Sequence, residues 1–591
     1  MCGITAIFAY GRGAPPVDAT ELQAIHGAMR PRGPDDEGTW FSPERRVGLA
    51  HRRLAIIDLS AGGHQPMVSK DGVRVLTYNG EIYNFHALRR QLEQEGRRFQ
   101  SQSDTEVLLH LYERDGVEMV RQLRGMYAFA LWDARKGGML LARDPLGIKP
   151  LYYADNGTTL RVASQVKALR AGGQAGTGAS AAGHVGFFLW GHVPEPFTLY
   201  RDIHALPAGT TLWVDAGGAG RPHQFWNMRD ALRTATPKPL GNGQLRELLA
   251  DSVRHHFVAD APVGLFLSAG VDSAVLAAFS AKEKGADLRT LTLSFDVRRA
   301  EAPDEAPAAG RLARTLGIRH ETRSVTATDF ADARDALFAS MDQPTIDGIN
   351  TYFVARAARD IGLKVALSGL GADEIFGGYA SFQQIPRTVA ALAPLRRLPF
   401  LGRAFRIVTA PALRRATSPK YASLLEYGGT YGGAYLLRRG LFMPWELPHF
   451  LDGDMVREGW RALAPLSALA NTTEGLSTPR QKITALEACW YMRNQLLRDA
   501  DWAGMAHSIE IRVPFVDSVL IEGLAASLAS SRPPEKQDMA SAVPQPLPAE
   551  IFARSKTGFV VPVRDWLSDR SEGRNERGLR GWARQVHAAA A

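Results

Sequence analysis

Two runs of this chain hold residue types that could do chemistry together. The first is Met1-Cys2-Gly3-Ile4-Thr5-Ala6-Ile7-Phe8. Loss of the initiator methionine would leave Cys2 with a thiol and a free α-amine, an attacking group and its own general base on one residue. That combination predicts amide cleavage with no separate histidine. An early cysteine is more often a small buried side chain, so position two alone settles nothing. The second run is Ser268-Ala269-Gly270-Val271-Asp272-Ser273, entered from the apolar stretch Val263–Leu267 and left through Ala274, Val275, Leu276, Ala277 and Ala278. A strand, a small-residue turn and a helix N-terminus make an anion site, with free N–H groups and the helix dipole facing the ligand. Ser268 and Ser273 can add hydroxyl donors. Asp272 would repel a bare phosphate, so it points to a bridging Mg²⁺. The pattern Gly-x-x-x-x-Gly-Lys-Ser/Thr is missing, which excludes the phosphate loop of ordinary ATPases. Alone, the turn could be only a turn.

Two further runs strengthen that second centre. Val365-Ala366-Leu367-Ser368-Gly369-Leu370-Gly371-Ala372-Asp373-Glu374 again leads a buried strand into a small-residue turn and an acidic pair. Its Asp373 could reach the same metal–pyrophosphate unit as Asp272. Arg554-Ser555-Lys556-Thr557-Gly558-Phe559 offers a lysine for charge developing on the phosphates.

The elements that must position these runs divide the chain. Up to about residue 210, short strands, two helices and many Gly/Pro turns suggest stacked sheets with helices outside. Val73–Thr77 alternates as a half-buried strand does. Ser103-Asp104-Thr105-Glu106 has capping-box spacing and predicts a helix carrying Val107, Leu108 and Leu111 inward. Gly172–Gly183 reads as a flexible loop. Residues 216–241, with Pro222, Pro237 and Pro239, read as a linker between a first domain, 2–215, and a second, 242–591. Beyond the linker, helices alternate with the buried strands Val263–Leu267, Leu291–Phe295 and Val365–Leu367, as in an α/β domain with a parallel sheet. Ser531–Pro548 reads as an irregular loop, and no internal repeat is seen.

At 591 residues the chain exceeds one ordinary core. Two cysteines, Cys2 and Cys489, cannot form a disulfide framework and fit a reducing cytoplasm. No signal peptide or bilayer-spanning apolar stretch is visible. The net charge of +9 is spread, apart from a basic tail of Arg570, Arg574, Arg577, Arg580 and Arg584, so no nucleic-acid or membrane partner is expected.

Taken together, these runs resemble the glutamine-hydrolysing asparagine synthetases, a class II glutamine amidotransferase fused to an ATP pyrophosphate-loop domain. Supporting runs are Arg32-Gly33-Pro34-Asp35-Asp36, Asn79-Gly80-Glu81-Ile82-Tyr83-Asn84, Arg143-Asp144-Pro145-Leu146-Gly147-Ile148-Lys149-Pro150, and Met505-Ala506-His507-Ser508-Ile509-Glu510-Ile511-Arg512-Val513-Pro514-Phe515. The resemblance implies an αββα N-terminal-nucleophile hydrolase sandwich of α+β type, followed by an α/β ATP pyrophosphatase-like domain with a parallel sheet and many helices. It implies that Cys2 attacks glutamine, with the Asn79 side chain and the Gly80 N–H as oxyanion donors. Arg53 would grip the glutamine carboxylate, with Arg52 its adjacent competitor. Glu81 and Asp104 would meet the ammonium, although an acid in the first turn of a helix is favourable for Asp104 in any case. Arg32 and Asp35 are expected to be structural loop formers. Leu267, Ser268, Gly270, Asp272, Ser273, Ser368, Gly369 and Asp373 would bind ATP, Asp272 and Asp373 through Mg²⁺, and Lys556 would act on the phosphates.

The implied reaction adenylates a carboxylate with Mg-ATP, and ammonia carried through an internal tunnel then displaces AMP. Aspartate is the first acceptor. The alternative is another carboxylate, a sugar acid or a peptide or natural-product intermediate. A homodimer is among the expectations. A non-catalytic or ammonia-only descendant fits poorly with intact Cys2, Asn79, Asp272, Asp373 and Lys556. The chain departs from the family pattern at Ala269 (more often Gly), Leu370 (often acidic), Gln343 (usually Glu), and Asp499 and Trp502 (more often Lys and Arg). These put the acceptor in doubt.

Overall fold

The computed structural model describes residues 2–233, 236–295, 305–394, 399–416, 418–553 and 579–590. The Arg554–Phe559 run, with Lys556, and the tail arginines 570, 574 and 577 lie outside them.

The first half is two stacked antiparallel sheets. One has the strands Gly3–Phe8, Asp36–Phe41, Val47–Arg53, Tyr152–Asp155, Leu160–Ala163 and His204–Ala205, with Gly3–Phe8 between Val47–Arg53 and Leu160–Ala163. The other centres on Arg74–Ile82, Gly125–Asp133 and Gly138–Arg143. The period-two alternation of a strand sets the layering. Ile4, Ala6 and Phe8 point between the sheets, packed with Val75, Ala128, Ala130 and Leu141. Ile7 points outward beneath the helix Ala19–Ala28, against Leu22 and Ile25. The helices Phe85–Gln94 and Asp104–Asp115 cover the opposite face.

Arg74–Ile82 is buried along almost its whole length instead of being half-exposed. Val75 faces the other sheet, while Leu76, Tyr78 and Ile82 face the helices, so alternation here separates two apolar environments. Ser103 caps Asp104–Asp115 as expected, but Glu106 does not complete the box. Its carboxylate accepts from the Gln100 and Ser101 N–H groups. The Gly172–Gly183 stretch ends inside a helix, Ala181–Trp190, whose N-cap is Ser180.

The region read as a linker carries structure of its own. Gly218–Ala219 and His223–Gln224 pair with Thr210–Asp215, and the helix Met228–Arg233 buries Met228 and Leu232 in the core of the second half. That half is built on five parallel strands in the order Arg319–Val325, Arg289–Phe295, Val263–Phe266, Val365–Leu367, Glu510–Arg512. After Val263–Phe266 the chain builds outward on one side, then returns to add Val365–Leu367 on the other. The crevice between these two strands is the switch point where open α/β sheets bind ligands. No described helix is long and apolar enough to cross a membrane.

The halves share a core. Tyr83, Met126, Leu146 and Ile148 of the first pack with Met492, Leu497, Val513 and Phe515 of the second.

Candidate active sites

Cys2 lies at the open end of its strand, next to the Gly3–Arg52 pair and so opposite Arg53. Its N–H donates to Asn79 Oδ1 at 2.9 Å. That bond turns the Asn79 amide, and its Nδ2 is buried with no hydrogen-bond partner. An unmatched amide donor beside a thiol is what an oxyanion site requires. Gly80 follows on the same strand, and a side chain is barred there. A Cβ would lie 2.2 Å from the Met126 carbonyl oxygen. Burial pushes the Cys2 thiol above its ordinary range, and the carboxylates Glu81 and Glu510 add to the shift. The sulfur is therefore a thiol in need of a base.

Strand alternation separates the two arginine candidates. Arg52 pairs with Glu37 on the outer side. Arg53 turns inward, and its guanidinium donates to the carbonyls of Ser60 (2.9 Å), Ile57 (3.3 Å) and Asp58. Asp104 accepts from Tyr78 Oη (2.9 Å) and the Ile82 N–H (3.0 Å), and burial raises its carboxyl to about 6. Glu81 turns toward Arg512, at 3.4 Å, instead of standing open. Burial and the charge of Glu510 push the Glu81 carboxyl up. Glu510 is itself buried, yet Arg512 (Nε to Oε1 2.6 Å) and Lys149 hold its carboxyl down to about 2. The second half thus supplies the charges behind the first half's site.

Arg32 and Asp35 do more than shape a loop. Arg32 Nε donates to the Cys2 carbonyl at 3.0 Å, and its two terminal nitrogens donate to both oxygens of Asp501 at 2.7 and 2.9 Å. Asp35 pairs with Lys364 at 2.7 Å. Both contacts cross from one half to the other.

At the switch point of the parallel sheet, a cavity of about 450 Å³ is lined by Leu267, Ser268, Gly270, Asp272, Ser273, Ser368, Gly369 and Asp373, the eight residues singled out for ATP. Gly270 is the N-cap of the helix Val271–Lys284, and no side chain caps it. The first N–H groups of that helix therefore remain available to an anion. Ala269 is accommodated because its backbone stays out of the left-handed region. Ser273 Oγ donates to the Ser268 carbonyl at 2.9 Å, which closes the loop on itself. The second loop packs on the first, where a Cβ at Gly369 would stand 3.2 Å from Asp272 Cβ. Gly371 has φ of 93°, and a Cβ there would meet Val516 Cγ2 at 2.4 Å, so glycine is required.

Asp272 and Asp373 converge on one ammonium. Lys536 Nζ lies 2.7 Å from Asp272 Oδ2 and also contacts Asp373. Two carboxylates already meeting at a cation fit a divalent ion that keeps waters and phosphate oxygens as its other ligands.

Lys536 stands on a helix, Lys536–Ser541, within the stretch read as an irregular loop. No local pattern marks it, because its partners are more than a hundred residues away in the chain. Four other acids line the cavity, namely Glu305, Asp347, Glu374 and Asp499. Glu374 was visible in the acidic pair; Asp347 carries no sequence signal.

Comparison with known proteins follows the same division. The glutamine amidotransferase domain model matches residues 1–226 and the asparagine synthase model residues 244–587. Asparagine synthetase [glutamine-hydrolyzing] 1 of Bacillus subtilis (strain 168) is 31% identical over 582 residues, covering 96% of this chain and 88% of that protein. Asparagine synthetase B [glutamine-hydrolyzing] of Escherichia coli (strain K12) is 36% identical over 407 residues, covering 65% of this chain and 66% of that protein. Amidase chry2 of Gibberella zeae is 30% identical over 426 residues, covering 65% and 60%.

Proposed function

The chain belongs to the glutamine-hydrolysing asparagine synthetase family and is an ATP-dependent amidoligase; on that footing we propose that Cys2 frees ammonia from glutamine and that the second domain adenylates aspartate, which ammonia converts to asparagine with release of AMP. The observation that carries the reading is the pair of sites itself: a thiol facing an unmatched Asn79 amide, and an anion cradle with two converging carboxylates.

In the first site, loss of Met1 turns the nitrogen that now donates to Asn79 into an α-amine. That amine takes the thiol proton as sulfur attacks the glutamine amide carbon. Asn79 Nδ2 and the Gly80 N–H receive the developing oxyanion. Arg53, its guanidinium braced by the 57–60 carbonyls, takes the substrate carboxylate. Asp104, with Glu81 beside it, takes the ammonium. In the second site, Ser268, Gly270, Ser273, Ser368 and Gly369 hold the phosphates, with Leu267 at their base. Asp272 and Asp373 would hold Mg²⁺, which supplies charge neutralisation when bound. Lys536 keeps these two carboxylates together meanwhile, and Lys556 is assigned to the developing phosphate charge. Ammonia would pass between the sites through the apolar region shared by the two halves, around Met126, Ile148, Leu497 and Val513.

A second reading, the same chemistry on a different carboxylate, is favoured by Leu370 and Asp499 in the cavity lining, with Trp502 behind them donating to Asp499. The assay supplies glutamine, Mg-ATP and aspartate. Asparagine, glutamate, AMP and pyrophosphate are expected in equal amounts. ADP instead of AMP would overturn adenylation, and AMP without asparagine would remove aspartate as acceptor.

A further inference from the structure

Burial is inverted on one helix of the second half. Pro399–Ala416 packs on the short helix Leu424–Tyr427 through Gly402 and Arg406. A Cβ at Gly402 would lie 2.7 Å from Glu426 Cα, and Arg406 Nε donates to Glu426 Oε2 at 2.8 Å. The apolar residues point the other way. At about 3.6 residues per turn, Phe400, Ala404, Ile407, Val408 and Pro411 fall on one face, with Leu401 at its edge. All six are exposed, Phe400 at 65%, Ile407 at 63% and Val408 at 77%. Of the large apolar side chains exposed among the described residues, four thus lie within residues 400–408, and the others are scattered along the chain. Scattered ones are ordinary. A helix that turns its apolar face to water instead of the core marks a surface that something covers.

The charge around that face is one-sided. From Ile375 to Leu425 the sequence has seven arginines and one lysine, and no aspartate or glutamate. Glu426, the next acid, is the one Arg406 engages. Arg403 is exposed at the other edge of the apolar face, and Arg387 is exposed on the preceding helix, Ser381–Leu392. The even spread of charge over the whole chain, from which no membrane partner was expected, averages this stretch away.

Two of the occupants such a face could take fit poorly. A second copy related by a two-fold axis would set the same patch, arginine against arginine, on itself. The exposed turns also offer roughly 200 Å² at one helix width, against about 800 Å² per partner in a stable protein interface. A folded acidic partner meets the same shortage of area. An anionic lipid surface asks for no matching shape: apolar side chains enter the acyl boundary and cationic ones are drawn to the headgroups. We propose that the helix Pro399–Ala416 docks the protein on an anionic membrane surface. Phe400, Leu401, Ile407 and Val408 enter the headgroup boundary, and Arg403 beside them meets lipid phosphate. The inference concerns where the reaction takes place and holds whichever carboxylate is amidated.

The test is flotation of the full chain with vesicles of phosphatidylcholine alone or mixed with phosphatidylglycerol. Binding to the mixed vesicles is expected, at least about tenfold tighter than to phosphatidylcholine alone, and weaker as salt screens the charges. Ile407→Glu together with Val408→Glu puts two carboxylates into the face and should cut that binding by at least about tenfold. Both positions face water, so melting should match the parent. If the pair does not fold, Phe400→Ser should weaken binding severalfold. No binding to the mixed vesicles, binding indifferent to phosphatidylglycerol, or binding untouched by the substitutions would each overturn the proposal. So would a dimer in lipid-free solution that the paired substitutions split, which gives the face to a second copy. Retention on immobilised polyglutamate without vesicle binding would overturn it too, and give the face to an acidic protein.

Discussion

At Cys2, the sulfur and its helpers are separable by substitution. Cys2→Ala removes the nucleophile and should abolish glutamine-driven product while ammonium chloride still drives AMP formation. Equal loss of both activities would break the two-site scheme. Asn79→Ala removes the unmatched Nδ2 donor, and kcat for glutamine hydrolysis should fall by about 10²–10³, the usual cost of one oxyanion donor. Asp104 makes a prediction about pH. Its folded carboxyl is raised from the ordinary 3.8 to about 6 by burial. A raised folded value means that the stability tied to the protonated form is complete below about pH 4 and lost as pH rises through 6. Neutral Asp104→Asn should therefore melt higher than the parent at pH 8, by up to about 3 kcal/mol of stability, with the gap closing below pH 5. Its KM for glutamine should rise at the same time. A melting difference that does not change with pH would dismiss the burial argument.

Elements bring these residues into place through a few backbone demands. The loop before Ala372–Phe376 must turn through a left-handed residue, and Gly371 is that residue. Gly371→Ala carries both a strained φ and a clash with Val516, which together cost of the order of 1–3 kcal/mol. It should weaken ATP binding while glutamine hydrolysis persists, and calorimetry with an ATP analogue would check this. Both turns that line the second cavity were legible beforehand, because each is local: strand, small residues, acid, helix. The Arg74–Ile82 strand was found but its exposure was misjudged, because alternation reports that two faces differ and not whether either is wet. Lys536 was missed for the converse reason. A short helix in a Pro-rich stretch leaves little local trace, and its meaning comes from Asp272 and Asp373.

On the scale of the whole molecule, Arg32 ties the Cys2 carbonyl to Asp501, and Asp501 shares the helix Arg498–Met505 with Asp499 at the other site. Residues two apart on a helix face nearly opposite ways, so this helix is a wall with one site on each side. Arg32→Ala leaves Asp501 buried and unmatched, a loss of about 3–5 kcal/mol for a broken buried pair. Glutamate release is then expected to outrun AMP formation, against an expected one-to-one ratio in the parent. A ratio that stays at one would reduce Arg32 to a structural role.

Local pattern was enough to single out Cys2, two small-residue turns that line one cavity, the αββα and parallel-sheet halves and the family membership. In each case the chemistry lies within a few residues of itself, so spacing alone carries it. Tertiary structure decided which arginine turns inward, which lysine joins Asp272 to Asp373, and which further acids line their cavity. Those depend on distant segments meeting in a space without water, where a charge acquires its value from neighbours that no stretch of sequence lists beside it.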